Sequence, residues 1–569
     1  MTEICKRDYK FVLDFEKRKV IIFPFGSKAI QPMELSLISQ CDKLTKSDLC
    51  QKLGKPVIEK LANGVLQISI SEKSNIWDEK CYVFRCYEDS IEFYFQIKGQ
   101  GEIGECKFFG GFFKDEFISS KGDFSEVSCV EQQAERQCAP ICYLAKFKNN
   151  NWISFGLAIE DGEYTFADFQ FEHKKGQFHL NLDYEGHTKI IKSWESPHLI
   201  MQFSQADKKY EVYRKFIEWL VYHKYVSFPK DTKIYQWWKK PMFCGFGEQM
   251  YYCGKEWIHP SISPSVYCTQ YNYETWLKIL EDKGIIPSTI IIDDGWQLYY
   301  GEQVVDKGKW PDMRGFIDKC HAKGQKVILW PSVWSIGGIP NKECINRGKK
   351  PMTVDTSNPA YLKRLKRLVH YMLSNEKNCL NADGLKVGTA VGFPSEKKVY
   401  DLYGFGMRYP EYNYGFISGE VLRTDERLKT YGEIWGAELL KNSLRIYYEE
   451  AKKAKKDALI ITVIANPYFS HFADMVTCLV TPRIDKLNIV DVLKELIGIS
   501  RITLPHCLLN TEVNNEGNKS EAEWLSQLEM DISLGCVPHI FYATHLIDGS
   551  SISDKAYKKI KDMWGKYKI

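Results

Sequence analysis

The sequence predicts an α/β fold: a (β/α)8 TIM barrel preceded by an N-terminal antiparallel β-sandwich domain. Three observations predict it. The first two hundred residues read as short β-rich runs separated by Gly, Asn, Asp and Lys clusters, without helical periodicity. A helical segment and two prolines, Pro229 and Pro241, then interrupt that pattern. Beyond Pro241, eight apolar runs alternate with amphipathic helical patterns to the end of the 569-residue sequence.

In chain order, the sandwich strands are expected at residues 19–25, 64–71, 82–98, 105–113, 152–159, 178–184 and 199–203. Gly99, Gly101 and Gly104 form a GxGxxG, but a strand rather than a helix follows, so the motif is a turn and not a dinucleotide cradle. Residues 207–225 have helical spacing, with Tyr210, Tyr213, Phe216, Trp219 and Leu220 on one face. The expected division is a sandwich over 1–205, a helical linker over 206–241 and the barrel over 242–569. Barrel strands are expected at 242–248, 289–294, 326–330, 384–390, 458–464, 475–480, 507–511 and 538–544. Helices are expected at 273–282, 313–322, 360–373, 437–455, 489–499, 521–534 and 554–567, with a weak helical signal at 470–473. An open doubly wound sheet would alternate similarly, and spacing does not separate the two.

Composition bounds the function. Hydrophobic residues make up 44% and charged residues 26%, as in an ordinary globular protein. A net charge of +4 without a long basic run argues against nucleic acid as the main partner. Aromatics at 14% fit either sugar stacking or a large aromatic core. No apolar run is long enough to span a bilayer, and residues 1–10 lack the apolar stretch of a secretory signal. The expected location is cytoplasmic, with the 18 cysteines as free thiols. Cys138 and Cys142 lack a second pair at zinc-site spacing, so no metal is assigned. No P-loop or nicotinamide site points to a cofactor, and an oligomer is left open.

In a barrel, active residues gather at the C-terminal ends of the strands. Strand two ends Ile292-Asp293-Asp294-Gly295-Trp296-Gln297. Two acids after a buried run suit hydrogen bonds from sugar hydroxyls; a helix N-cap is the competing reading. Trp330 and Trp334, after strand three, offer aromatic walls or plain core, and Trp296 equally packs beneath its loop. Lys386, inside strand four, needs a partner at the pocket floor. Glu248 lines the pocket or is exposed. His506, His539 and His545 read as structural hydrogen-bonders before catalytic groups.

The Ile292-Asp293-Asp294-Gly295-Trp296-Gln297 run, Trp310-Pro311-Asp312-Met313-Arg314, and Ala382-Asp383-Gly384-Leu385-Lys386-Val387 resemble the barrels of glycoside hydrolase clan D, the α-galactosidase-like and raffinose-synthase-like α-glycosidases. The likeness runs in order from Phe243-Cys244-Gly245 to Tyr542-Ala543-Thr544-His545. It implies a glycoside or oligosaccharide ligand, substrate contacts from Asp293, Asp294, Lys386, Trp330 and Trp334, and a retaining mechanism with two aspartates about 5–5.5 Å apart.

The sequence departs from that pattern at the two catalytic positions. Gly388 stands where the resemblance puts the nucleophile. On strand six, the run from Met475 to Val480 lacks the acid/base aspartate, and Asn510 and Glu512 replace the strand-seven acids of related chains. The remaining candidates for general acid or base are Asp474, Glu512 and Asp485. Two functions follow: an α-glycoside hydrolase with an altered site, or a sugar-binding pseudoenzyme. A different reaction on the same barrel is a third.

Overall fold

The computed structural model describes residues 1–24, 33–108, 111–113, 124–126, 141–146, 151–174, 177–253, 264–387, 393–396, 426–432, 434–480, 489–513 and 520–567. The expected positions Gly388, Asp485 and Cys138 lie outside the described residues. The chain divides into two compact units, one of Met1–Ser227 with Glu433–Glu438, the other of Phe228–Gly432 with Leu439–Ile569.

The first unit is two antiparallel sheets. One runs in the order Thr2–Cys5, Tyr9–Asp14, Lys19–Pro24, Met33–Ser36, Gly111–Phe113, Gln177–Ile190, Gly101–Lys107, Gln40–Lys43. The other centres on Asn151–Ala158, His198–Gln205, Ser90–Lys98, Glu79–Cys86 and Leu66–Ser74. Aromatic rings join the inner faces: Tyr9 meets Phe203 at 4.8 Å, Phe11 meets Phe84 at 5.5 Å and Phe155 meets Phe178 at 5.5 Å. Much of the high aromatic content is therefore core, each ring removing a large apolar area from water.

Three local readings need correction. Residues 82–98 form a hairpin, not one strand: Glu79–Cys86 pairs antiparallel with Ser90–Lys98, and Tyr87 N–H closes the turn on Ser90 O. The polar tetrad Tyr87-Glu88-Asp89-Ser90 is the turn signal. Gly99 turns the chain with φ at +138°, whereas Gly101 and Gly104 lie in strand Gly101–Lys107, whose register shifts between Ile103 and Glu105. The third glycine thus marks a β-bulge. Helix Lys209–Tyr222 is an element of the first unit rather than a separate linker; Phe216 is buried so close to Gly156 that a Cβ there would sit 2.2 Å from its ring.

The second unit is the barrel. Its eight strands are Met242–Cys244, Thr289–Ile292, Lys326–Leu329, Gly384–Val387, Leu459–Thr462, Met475–Val480, Leu508–Val513 and His539–Ile540. Strands one to seven pair in parallel, each with the next, and strand eight pairs in parallel with strand one. Val537 N–H donates to Leu509 O at 2.7 Å and ties strand seven to strand eight. The sequential strand order, with strand eight beside strand one and its lead-in bonded to strand seven, makes a nearly closed ring and excludes the open doubly wound sheet. Strands such as Thr289-Ile290-Ile291-Ile292 are buried throughout and almost wholly apolar because both faces are covered.

Helices Gln270–Asp282, Met313–Ala322, Pro359–Leu373, Ala437–Ala454, Ile489–Thr503, Glu521–Ser533 and Asp554–Lys566 punctuate the unit. Five of them start on a side-chain cap: Thr269, Asp312, Asn358, Ser520 and Ser553 each accept a backbone N–H of the first turn. Strand one is shorter than expected. It stops at Cys244, and helix Phe246–Cys253 begins, so Glu248 lies on a helix. The weak signal near 470 is a 3-10 helix, Pro467–Phe472. Among the described residues, no helix is long and apolar enough to cross a membrane.

Candidate functional site

Strand two delivers Asp293 to the C-terminal end of the barrel, and the loop after it is held rigidly. Asp293 N–H donates to Tyr273 Oη at 3.0 Å, and Gln249 Nε2 donates to Asp294 O at 2.8 Å. Gly295 follows with φ at +108°, where a Cβ would lie 2.6 Å from Ser265 backbone atoms, so a side chain is excluded. Trp296 is fully buried, and its indole N–H donates to Trp330 O at 2.8 Å.

Lys386 on strand four reaches the same point. Its Nζ donates to Asp293 Oδ2 at 2.8 Å and to Glu512 Oε2 of strand seven at 2.6 Å. All three side chains are 4–5% exposed. Two oxygens that share one nitrogen at those distances are at most about 5.4 Å apart. Burial opposes the lysine's charge, yet Asp293 and Glu512 outweigh it and hold the ammonium well above its ordinary pKa. Cys244, ending strand one, donates its thiol to Asp293 Oδ2 at 3.1 Å, and Asp294 N–H donates to Oδ1 at 2.9 Å. Burial pushes that thiol up, so it stays protonated.

Four strands therefore converge on one acid–ammonium–acid group. Lysine has three N–H donors. Two are engaged by carboxylates, and the third faces Cys244 Sγ at 4.0 Å, with the Phe541 ring 5.8 Å away. The group is built to hold charge in place. A carboxylate bound to an ammonium is a poor general acid, having no proton to give at neutral pH, and its nucleophilicity is blunted. Beside it, Asn510 Oδ1 accepts from Thr477 Oγ1 at 2.7 Å, and Asn510 Nδ2 lies 3.3 Å from His539 Nδ1. Burial and then Lys386 depress His539 to about 3, so it is neutral.

The structure places the other expected residues elsewhere. Asp474 precedes strand six and sits at the opposite, N-terminal end of the barrel. Lys452 Nζ donates to its Oδ2 at 2.7 Å, as does Ile460 N–H at 2.8 Å. It pins helix Ala437–Ala454 to strand five and is remote from the C-terminal strand ends where barrel active sites gather. A residue before a strand faces that end by chain direction alone, a signal the spacing already carried. Asp383 does the same before strand four, accepting from His321, Lys326 and Val327 N–H. Glu248 is fully buried rather than exposed or pocket-lining, accepting from Ala543 N–H, Thr544 N–H and Thr544 Oγ1.

Trp330 and Trp334 are 8% and 6% exposed, largely interior. Trp330 packs edge-on against Tyr300 at 6.2 Å, and Trp334 O accepts from Thr353 Oγ1 at 2.8 Å. His506 meets Ser470 O at 2.7 Å, and His545 stacks on Tyr251 at 4.4 Å. The strand carrying Val480 is described, its side chain is not. Cys244, Gln249 and Tyr273 went unread in the sequence; only the Phe243-Cys244-Gly245 segment hinted at them.

An antiparallel β-sandwich unit and a nearly closed parallel (β/α)8 barrel make up the fold that carries this site. Solved structures share it. The α-N-acetylgalactosaminidase NagBb from Bifidobacterium bifidum superposes with a TM-score of 0.60 at 7% identity, over 99% of this chain and 92% of that one. A GH31 family sulfoquinovosidase from E. rectale gives 0.51 at 11%, over 100% and 83%. No family model and no curated protein matches the sequence.

Proposed function

We propose that the barrel binds α-linked glycosides at the C-terminal ends of its strands and no longer performs the double displacement that the fold ordinarily hosts. One observation carries this reading: Asp293 and Glu512, two acids at that end, are both spent on Lys386. Asp474 lies at the wrong end, and glycine at position 388 supplies no carboxylate. Loss of a covalent nucleophile typically costs ~10⁴–10⁶ in kcat. The carboxylate of Asp294, at the same strand end, suits sugar hydroxyls. All sixteen described cysteines are free, which suits a reducing compartment such as the cytoplasm.

A second reading, hydrolysis by an altered site, is favoured by Asp293 and Glu512 standing as a close pair of acids at the strand C-termini, their Lys386-bound oxygens at most about 5.4 Å apart. The test combines calorimetric titration with α-galactosides and related sugars and a nitrophenyl α-glycoside panel, run on the protein and on Gly388→Asp. Saturable binding without turnover is the expected result, and turnover gained by Gly388→Asp would reinforce it. Turnover by the unmodified protein, abolished in Glu512→Gln, would replace it with the second reading. Neither binding nor turnover would end both.

A further inference from the structure

Far from the strand C-termini, three ligand types of different chemistry meet. His370 occupies the last turn of helix Pro359–Leu373, and Glu376 and Cys379 lie in the loop that leads to strand four. His370 Nε2 is 3.3 Å from Glu376 Oε2. The imidazole nitrogen, the carboxylate oxygen and the thiol sulfur all lie within 4.8 Å of one another. Among the described residues Glu376 pairs with His370 alone, and Cys379 is a free thiol.

The backbone that presents them is already fixed. Ser374 N–H closes the helix on His370 O at 2.8 Å, Leu380 N–H reaches back to Tyr371 O at 2.8 Å, and Cys379 N–H donates to Glu376 O at 3.1 Å. Arg314 donates to Glu376 O at 3.3 Å and Cys379 O at 2.8 Å, while its Nε is spent on Asp318, so the guanidinium braces the loop without competing for the Glu376 carboxylate. A loop held this way pays little ordering cost when a ligand binds.

We propose that His370, Glu376 and Cys379 form a zinc-binding site at the N-terminal end of strand four. Tetrahedral zinc with bonds of about 2.0–2.3 Å sets its ligand atoms about 3.3–3.5 Å apart, so the side chains, now within 4.8 Å of one another, draw inward when the ion binds. Imidazole and thiolate select zinc over calcium or magnesium, which take oxygen donors. Water fills the fourth position. On binding, Cys379 gives its thiol proton to solvent, so affinity rises with pH. The site clips the end of a barrel helix to the start of the next strand, at the face of the barrel that serves stability rather than catalysis. It does not depend on the sugar-binding reading, because Lys386 lies toward the other end of strand four.

The test uses the full chain freed of metal with a chelator, zinc chloride alone as the probe, and iodoacetamide labelling located by peptide mass spectrometry. One equivalent of zinc is expected to slow alkylation of Cys379 at least tenfold, leave the half-buried Cys507 unchanged, and raise the unfolding midpoint by a few degrees. Cobalt(II) is expected to give a thiolate charge-transfer band that Cys379→Ser removes and His370→Ala weakens at least tenfold in affinity. Equal alkylation of Cys379 with and without zinc would overturn the proposal. So would a midpoint shift that persists in both variants.

Discussion

Lys386 is a full charge in the barrel interior, and its stability rests on Asp293 and Glu512 arriving from strands two and seven. Removing one partner of a buried ion pair costs about 3–5 kcal/mol, since the remaining charges stay desolvated. Lys386→Met is therefore expected to destabilise the protein by about that amount in denaturant titration and to abolish sugar binding. Lys386→Met combined with Glu512→Gln should recover part of the stability and none of the binding. Asp531 shows the opposite economy. It is buried on helix Glu521–Ser533, bonded to Thr511 Oγ1, and burial pushes its carboxyl up to about 7. The folded state therefore holds a proton that the unfolded chain, with a pKa near ~3.9, has released at neutral pH. The contribution is full below about pH 4 and is lost as pH rises through about 7. Asp531→Asn should raise the melting temperature at pH 8 and leave it unchanged at pH 4; an equal shift at both would refute the assignment.

At the scale of elements, the barrel is fastened from below by acids that precede strands. Asp383 ties strand four to His321, Lys326 and Lys455, and Asp474 ties strand five to Lys452. Asp474→Asn is expected to cost about 1–3 kcal/mol by weakening buried bonds, with sugar affinity unchanged. A drop in affinity without a loss of stability would return Asp474 to the functional site. The helix caps are the second fastening. Asn358 Oδ1 accepts Ala360 N–H at 2.9 Å just before Pro359, and Asn358→Ala should cost about 1 kcal/mol, read from the unfolding midpoint in urea. The elements were legible where periodicity and punctuation agreed: Met313–Ala322 and Met475–Val480 fall where the apolar spacing puts them. They were misread where one residue decides the path. Strand one ends at Cys244 because Gly245, packed against the Tyr273 ring, turns the chain into a helix.

For the whole molecule, acid sensitivity follows from two groups. Burial opposes ionisation of Asp383, but His321, Lys455 and Val327 N–H outweigh it and hold the carboxyl at about 2. Its stabilisation is present above the unfolded pKa of ~3.9 and is lost as pH falls toward 2. His539, held neutral to about 3, contributes stability above ~6.5 that is lost as pH falls through 3. Asp531 works against this loss only down to about pH 4. Calorimetric melting should thus fall steeply below pH 4, and His539→Gln should flatten the profile between pH 6 and 3. The sequence alone determined the class of fold, because strand and helix periods are local and repeat along the chain. It also singled out Asp293 and Lys386, because charges in apolar strands are costly unless used, and Glu512 through the resemblance alone. Only the tertiary structure decided what they do. The partners of Lys386 stand 93 and 126 residues away on other strands, and the curling of the sheet into a barrel, which no spacing encodes, makes Glu512 one arm of a buried ion pair.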